Sequence, residues 1–244
     1  MAQQVEQVPH VPAVFRRCQA WDDKWLLRLN AKGPTRFTKL VELFSFCGRM
    51  EAWLLIAVSF IVIWYLPLAA LYLGLNLGWG ISVVYVCKVF VKRPRPFQVT
   101  PGVQVLEGPN TSASFPSWHA YVALSGVLAI YSLVGHWGVL VAGIPFAALV
   151  GLSRPFLGVH YITDVIGGWV FGFFGFWASF AVAPLLLPLV RTAMAYTALD
   201  FIEGTWSPLV TWWVSSLIII GIYVFVLAAF ILGRKKKKEK VVWR

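Results

Sequence analysis

Read as apolar and polar positions, the 244-residue chain has a polar, basic start, a long run of apolar stretches with short breaks, and a basic end. Six stretches approach the roughly 20 apolar residues that cross a bilayer as a helix. They are Trp53–Leu73, Leu75–Val91, Trp118–Val134, Trp137–Leu152, Thr163–Val190 and Leu209–Leu232. The shorter ones require tilt or local extension. Gly74 to Gly80 reads as a tight, uncharged hairpin after the first stretch. Gly135-His136 reads as another after the third, with His136 a surface residue of no assigned role. Pro184 and Pro188 are expected to kink or end the fifth stretch. Arg191 to Pro208 is expected to form a loop or interfacial segment before the sixth. No internal repeat is visible.

Ahead of the spans, Trp21, Trp25, Leu26 and Leu29 recur at helical spacing, and Phe37, Leu40, Val41, Phe44 and Cys47 do so again. Gly33-Pro34 separates the two patterns. Two amphipathic helices follow from this, either lying in the interface with Arg and Lys towards headgroups or packed against the spans. The expected fold is all-α: a polytopic membrane helical bundle with six transmembrane helices plus N-terminal interfacial amphipathic helices. Its divisions are a basic interfacial segment (1–51), a six-span membrane domain (52–233) and a basic tail (234–244).

Composition supports the bilayer as solvent. The chain is 59% hydrophobic and only 13% charged, where soluble domains carry about 25% charged residues. Thirteen Trp residues suit aromatic belts at both interfaces. The net charge of +11 would fit nucleic acid, but the cations cluster beside apolar spans, so no nucleic-acid partner is expected. Three cysteines (Cys18, Cys47, Cys87) without a CxxC pair argue against a disulfide framework and against a zinc site. No cleavable signal peptide is expected, because the first fifty residues lack an apolar core of the needed length.

Three polar clusters interrupt the apolar pattern. The first, Lys88-Val-Phe-Val-Lys-Arg-Pro-Arg-Pro, puts Lys88 inside the end of the second stretch, where a lone ammonium is costly. Lys88 and Lys92 share a helical face, and Lys92 and Arg93 read as ordinary snorkelling cations. Pro94 and Pro96 should stop the helix and hold Arg95 extended. The second cluster is Pro116-Ser117-Trp118-His119. Ser117 suits an N-cap, and a helix N-terminus favours anions. His119 stands one turn inside; taken alone it is a plain interfacial histidine. The third cluster runs from Ser153 to Asp164. Arg154 offers a planar fork of donors suited to phosphate. If a helix begins near His160, then His160 and Asp164 lie on one face, and the carboxylate can fix the imidazole tautomer and leave the other nitrogen free to attack. The plainer reading is a helix start with a neutral His and an Asp near its N-terminus.

Together, and in this order, the clusters resemble the type-2 phosphatidic acid phosphatase superfamily. Its pattern is Lys, six residues, Arg-Pro; then Pro-Ser-Gly-His; then Ser-Arg, five residues, His, three residues, Asp. Lys88 to Arg95-Pro96 keeps the first spacing, and Ser153-Arg154, His160 and Asp164 keep the third. Trp118 replaces the glycine of the middle block. A backbone N–H survives there, but the indole is expected to narrow the site mouth or touch substrate. The resemblance implies that His160 attacks phosphorus to form a phosphohistidine and Asp164 orients it. It implies that His119 protonates the leaving oxygen and later activates water. Lys88, Arg95, Ser117, the N–H groups near Trp118, and Arg154 would bind the phosphate oxygens. No cofactor and no metal are implied.

Six spans put both termini and the clusters on one side. Of the 21 Lys and Arg residues, Arg191 alone would then lie on the other. The positive-inside rule places the site on the cytoplasmic face, in what is expected to be a bacterial inner membrane beside anionic lipids. Such a site favours phosphatidylglycerophosphate or phosphatidic acid. An outward site would favour polyprenyl diphosphate or lipid A phosphate. A phosphotransferase using the same phosphohistidine is the nearest rival. A vanadate-dependent peroxidase is at odds with six spans. A carrier would need polar residues at mid-depth, whereas the charges gather at one end.

Overall fold

The structure of the protein, a computed structural model, describes residues 10–30, 37–62, 67–108 and 111–195. Regular structure among them is helical throughout: α1 (Ala13–Asn30), α2 (Thr38–Cys47), α3 (Met50–Val62), α4 (Pro67–Val91), the single turn α5 (Pro96–Val99), α6 (Trp118–Val134), α7 (Gly138–Phe156) and α8 (Ile162–Ala195). By length and composition, α4, α7 and α8 can each cross a bilayer, while α3 and α6 are shorter apolar helices. The expected sixth span Leu209–Leu232, the basic tail and the Gly33-Pro34 break lie outside the described residues.

Three expectations need correction. Gly74 to Gly80 is not a hairpin: α4 runs unbroken from Pro67 to Val91. A backbone without competing water keeps its helical bonds across glycine, and Gly80 lets the Tyr121 ring lie where a Cβ would sit 2.3 Å from Cε1. The first span is accordingly shorter than expected, with α3 holding 13 residues, and the second longer, with α4 holding 25. Pro184 and Pro188 do not end the fifth span: α8 continues through both to Ala195, a total of 34 residues, and carries Arg191 in its last turns. A few missing N–H donors are tolerable in a helix whose remaining bonds have no alternative partner. Finally, α8 begins at Ile162, so His160 precedes the helix.

The bundle is built around α6, which packs against α8, α7 and α4, with α3 laid on α4. Tyr121, Val122 and Ala129 of α6 join Leu73, Leu77 and Val84 of α4 and Phe176 of α8 in one core. The approach of α6 and α8 is close. A Cβ on Gly168 would lie 2.4 Å from the Ser117 carbonyl oxygen, and one on Gly172 would lie 2.6 Å from that of Tyr121. Small residues at such a crossing bring backbones together where hydrophobic driving force is weak.

This packing gathers four helix ends: the C-termini of α4 and α7 and the N-termini of α6 and α8. Main-chain bonds tie them, with Ser117 N donating to Asp164 O (2.9 Å), Ser114 N to Arg93 O (2.8 Å) and Leu106 N to Leu157 O (3.1 Å). Across this end lie α1, against α7 and α8, and α2, against α7. The face of α1 turned inward is Phe15, Asp22, Leu26 and Asn30, while Trp21 and Trp25 are exposed. In α2, Ser45 is buried, Phe44 and Cys47 join the core, and Phe37 and Leu40 point out. Much of the apolar stripe read from the sequence therefore faces outward, and polar groups face the bundle.

Candidate active site

His160 lies in the short turn between α7 and α8 and is 3% exposed. Gly158 makes that turn possible: its φ is +76°, and a Cβ there would sit 2.3 Å from the Gln104 carbonyl oxygen. Asn30 clamps the same place, donating to Gln104 O and Phe156 O at 2.8 Å each. The imidazole Nδ1 is 3.5 Å from Asp164 Oδ2 and 3.5 Å from Ser114 Oγ. Ser114 Oγ in turn donates to Asp164 Oδ2 in a short bond. Asp164 Oδ2 also accepts from Tyr161 N at 2.9 Å, which folds the carboxylate back over the turn. Nδ1 thus faces the carboxylate and the hydroxyl, and Nε2 is left as the nitrogen able to attack. Burial, then the charges of Arg95, Arg154 and Lys88, hold the imidazole well below the ordinary histidine range, so it is neutral at neutral pH.

The cations around His160 are tethered in different ways. Arg95 is extended at the start of α5, with ψ 155°, as the flanking prolines require. Its guanidinium donates to Ser112 O (2.7 Å), Val159 O (3.0 Å) and Ser112 Oγ (3.0 Å). Burial first, then Arg154, lowers its pKa to about 10. Lys88, half-buried at the end of α4, donates to Ala113 O. Arg154, at the end of α7, donates to Ser45 Oγ and Glu107 Oε2. Glu107 also accepts from Arg49 at 3.2 Å. Burial alone would raise the Glu107 carboxyl, but Arg154 and then Arg49 hold it below the usual range.

On α6, Ser117 is the N-cap and accepts from Ala120 N at 3.5 Å. The first-turn N–H groups of α6 therefore open towards the same end as the cations. His119 is half-buried, and its Nε2 is out of solvent without a hydrogen-bond partner among the described residues. The fields of Arg154, Arg95 and His160 all reach it. The arrangement offers a nucleophilic imidazole, a second imidazole, and three cations suited to an anionic tetrahedral group. Among the described residues, no three His, Cys, Asp or Glu side chains gather as a metal site.

A family model described as the PAP2 superfamily matches residues 69–188. The chain belongs to the PAP2 superfamily. Among curated proteins it is 31% identical over 143 residues to an undecaprenyl-diphosphatase of Sulfolobus acidocaldarius, covering 58% of this chain and 66% of that one. It is 39% identical over 97 residues to phosphatidylglycerophosphatase B of Bacillus subtilis, covering 36% and 44%. It is 32% identical over 123 residues to undecaprenyl-diphosphatase BcrC of the same organism, covering 49% and 61%. The chain thus spans less than two thirds of the length of each of these relatives. Two solved folds are similar. Aquifex aeolicus LpxE has a TM-score of 0.57 at 20% identity, with 66% of this chain and 95% of that chain covered. A transmembrane PAP2-type phosphatidylglycerolphosphate phosphatase of Bacillus subtilis has 0.59 at 23%, with 70% and 88% covered. With its apolar helices, this PAP2 chain is an integral membrane protein.

At Trp118, the departure from the PAP2 pattern, the indole stacks on Tyr121 with centroids 5.7 Å apart and 19° between planes. It packs on the bundle core, and its Nε1 is buried without a partner among the described residues.

Arg93 needs correction. It is no snorkelling cation but fully buried, while Lys92 beside it is exposed. Its guanidinium pairs with Asp164 Oδ1 and with Asp22 Oδ2, both at 2.7 Å, and donates to Thr163 Oγ1 at 2.7 Å. The Phe15 and Tyr161 rings cover its two faces at 4.0 and 4.1 Å. Burial opposes the charge, but the two carboxylates win and raise its pKa. Asp22 could have been found in the sequence: with Phe15 seven residues before and Leu26 four after, it marks a charge on a buried helical face. Ser114, Ser45 and Glu107 gave no such signal, because loop register and long-range partners bring them in. Replacing Arg93 by Met strands two buried carboxylates, and losing one partner of a buried pair costs about 3–5 kcal/mol. The variant should show a clearly lower unfolding midpoint in detergent, partly restored by adding Asp22→Asn. A midpoint equal to the parent's would show that the network contributes nothing.

Proposed function

We propose that the protein is a lipid phosphatase that hydrolyses the phosphomonoester or diphosphate of a membrane lipid through a phosphohistidine on His160. The observation that carries this reading is a buried, neutral imidazole whose Nδ1 faces Asp164 and Ser114 while Lys88, Arg95 and Arg154 surround it. The Nε2–P bond forms as the ester P–O bond breaks, and the leaving oxygen takes the electron pair with a proton from His119. His119 then takes a proton from water as the oxygen attacks phosphorus, releasing inorganic phosphate and the free imidazole. Asp164 holds the tautomer and offsets the developing imidazolium charge. Lys88, Arg95, Arg154 and the α6 N-terminus at Ser117 and Trp118 stabilise the equatorial oxygens, the term that dominates phosphoryl transfer. No step calls for a metal. The curated relatives, named for undecaprenyl diphosphate and phosphatidylglycerophosphate as what they act on, support a lipid phosphate as substrate class.

The site is further proposed to face the cytoplasm. Arg191 stands at the far end of α8, whereas α1 and α2, with Arg16, Arg17, Lys24, Arg28 and Lys39, lie across the site end. This asymmetry supports a positive-inside orientation.

Three measurements test the reading. Phosphate release from a panel of lipid phosphates, unchanged by chelator, should vanish in His160→Ala together with phosphoenzyme trapping; full turnover in that variant ends the assignment. The kcat/KM profile should fall on the acid side, where the depressed His160 imidazole finally protonates, and on the alkaline side, where His119 loses the proton it gives to the leaving oxygen. Lys88→Met removes a nearby cation, so the acid limb should move to higher pH while the substrate's own ionisation stays in place; an unmoved acid limb would put Lys88 away from the ring. For orientation, a chain without Cys18, Cys47 and Cys87 but carrying Lys237→Cys should react with an impermeant thiol reagent only after lysis. Labelling of intact cells would reverse the topology.

A further inference from the structure

The site end holds a cation that the PAP2 pattern does not include. Arg49 lies between α2 and α3, one residue after Gly48. The Gly48 backbone rests on His119: a Cβ there would come within 2.7 Å of His119 Cδ2 and 2.8 Å of its Cβ. Arg49 is thus carried to the side of the site where His119 meets the leaving oxygen, and its charge reaches that ring. His119 Nε2, buried and without a partner among the described residues, marks the same side as a place for a ligand oxygen. One carboxylate joins this side to the phosphoryl side, since Glu107 takes Arg49 on Oε1 at 3.2 Å and Arg154 on Oε2.

We infer that Arg49 binds the leaving group and makes the site selective for lipids whose leaving group is itself a phosphate. The inference rests on the hydrolase reading above and adds the chemistry of the leaving side. In a lipid diphosphate, His160 Nε2 attacks the terminal phosphorus, the bridging P–O bond breaks, and the bridging oxygen leaves with the electron pair as part of the lipid monophosphate. That leaving group needs a cation rather than a proton, and a guanidinium binds phosphate through paired donors. In a monophosphate the leaving oxygen is an alkoxide, which needs the proton of His119. Arg49 therefore serves the first reaction and does little for the second. Glu107 bridges two guanidiniums as a phosphate would, and it is the carboxylate that substrate oxygens exchange with.

The experiment compares kcat/KM for a prenyl diphosphate and the prenyl monophosphate of the same tail, with purified full-length protein in detergent. Arg49→Gln should lower the diphosphate-to-monophosphate ratio about tenfold, the size of one charge-assisted contact. Arg49→Lys should recover part of it, and His119→Asn should move the ratio the other way by striking the monophosphate harder. Should Arg49→Gln not give monodisperse protein, the ratio is read in Glu107→Gln, which removes the carboxylate that competes with substrate for Arg49 and should raise it. An unchanged ratio in these variants, or an equal fall for both substrates, overturns the inference and leaves Arg49 as a tether for Glu107. Parent protein inert on both prenyl substrates overturns this inference, whereas the hydrolase reading ends only if the wider panel of lipid phosphates is also left intact.

Discussion

One buried guanidinium organises the site end of the molecule. Arg93 lies out of solvent between two carboxylates and two aromatic rings. An unpaired charge at that depth would be prohibitive, so the position is tenable only if Asp22 and Asp164 are both in place. The constraint works in both directions. Asp164 cannot turn towards solvent without stranding Arg93, so it stays under His160. Asp22 cannot leave either, so α1 is bound to the start of α8 by an ionic contact as well as by packing. Thr163 tightens this by accepting from Arg93 while its N–H donates to Asp22 Oδ1 at 3.0 Å. A helix that looks peripheral in sequence is therefore part of the support of His160.

The remaining cations are arranged on a different principle. Lys88 and Arg95 are held mainly by backbone carbonyls, which orient a positive charge without neutralising it. Buried, close together and only dipole-compensated, they keep a strong demand for an anion. The lowered pKa of Arg95 expresses that demand, because burial and a neighbouring cation both disfavour its charge. A phosphoryl group would relieve it, with little reorganisation of groups already in position. Arg154 is the intermediate case, since its carboxylate partner Glu107 is shared with Arg49 and sits in a loop. The molecule thus separates permanent ion pairs, which fix geometry, from poorly compensated cations, which are left with a demand for an anion.

The sequence disclosed the site better than the scaffold around it. The spacings of Lys88, Arg95, Arg154, His160 and Asp164 were readable because they record turns and helix ends a few residues long. The Ser117 cap was readable for the same reason. What failed were inferences needing knowledge of the partner. Glycine between Gly74 and Gly80 looked like a turn because its packing against Tyr121 cannot be seen in one strand of text. Pro184 and Pro188 looked able to kink or end the fifth span, and the ending failed because rules for helices in water overstate the cost of proline where no water competes. Arg93 looked ordinary because Asp22 is 71 residues away. The His160–Asp164 spacing suggested a shared helical face, whereas the real contact is made by a turn folding back through Ser114 and the Tyr161 N–H.

The orientation of α1 and α2 connects the site to its lipid surroundings. A helix capping a soluble bundle would turn its apolar stripe inward. Here Trp21, Trp25, Phe37 and Leu40 face out, while Phe15 and Leu26 share the inward side with Asp22, Asn30 and Ser45. Apolar side chains on both faces suit an outside that is itself partly apolar, as the acyl–headgroup boundary is, where Trp and Arg side chains are at home. Arg28 lies over the Trp25 ring at 4.9 Å, placing a cation and an indole together on that surface. The two helices then roof the cationic groups from the headgroup layer. With such an outside, a lipid phosphate in the headgroup layer would meet the end of the bundle that carries Arg154 and His160.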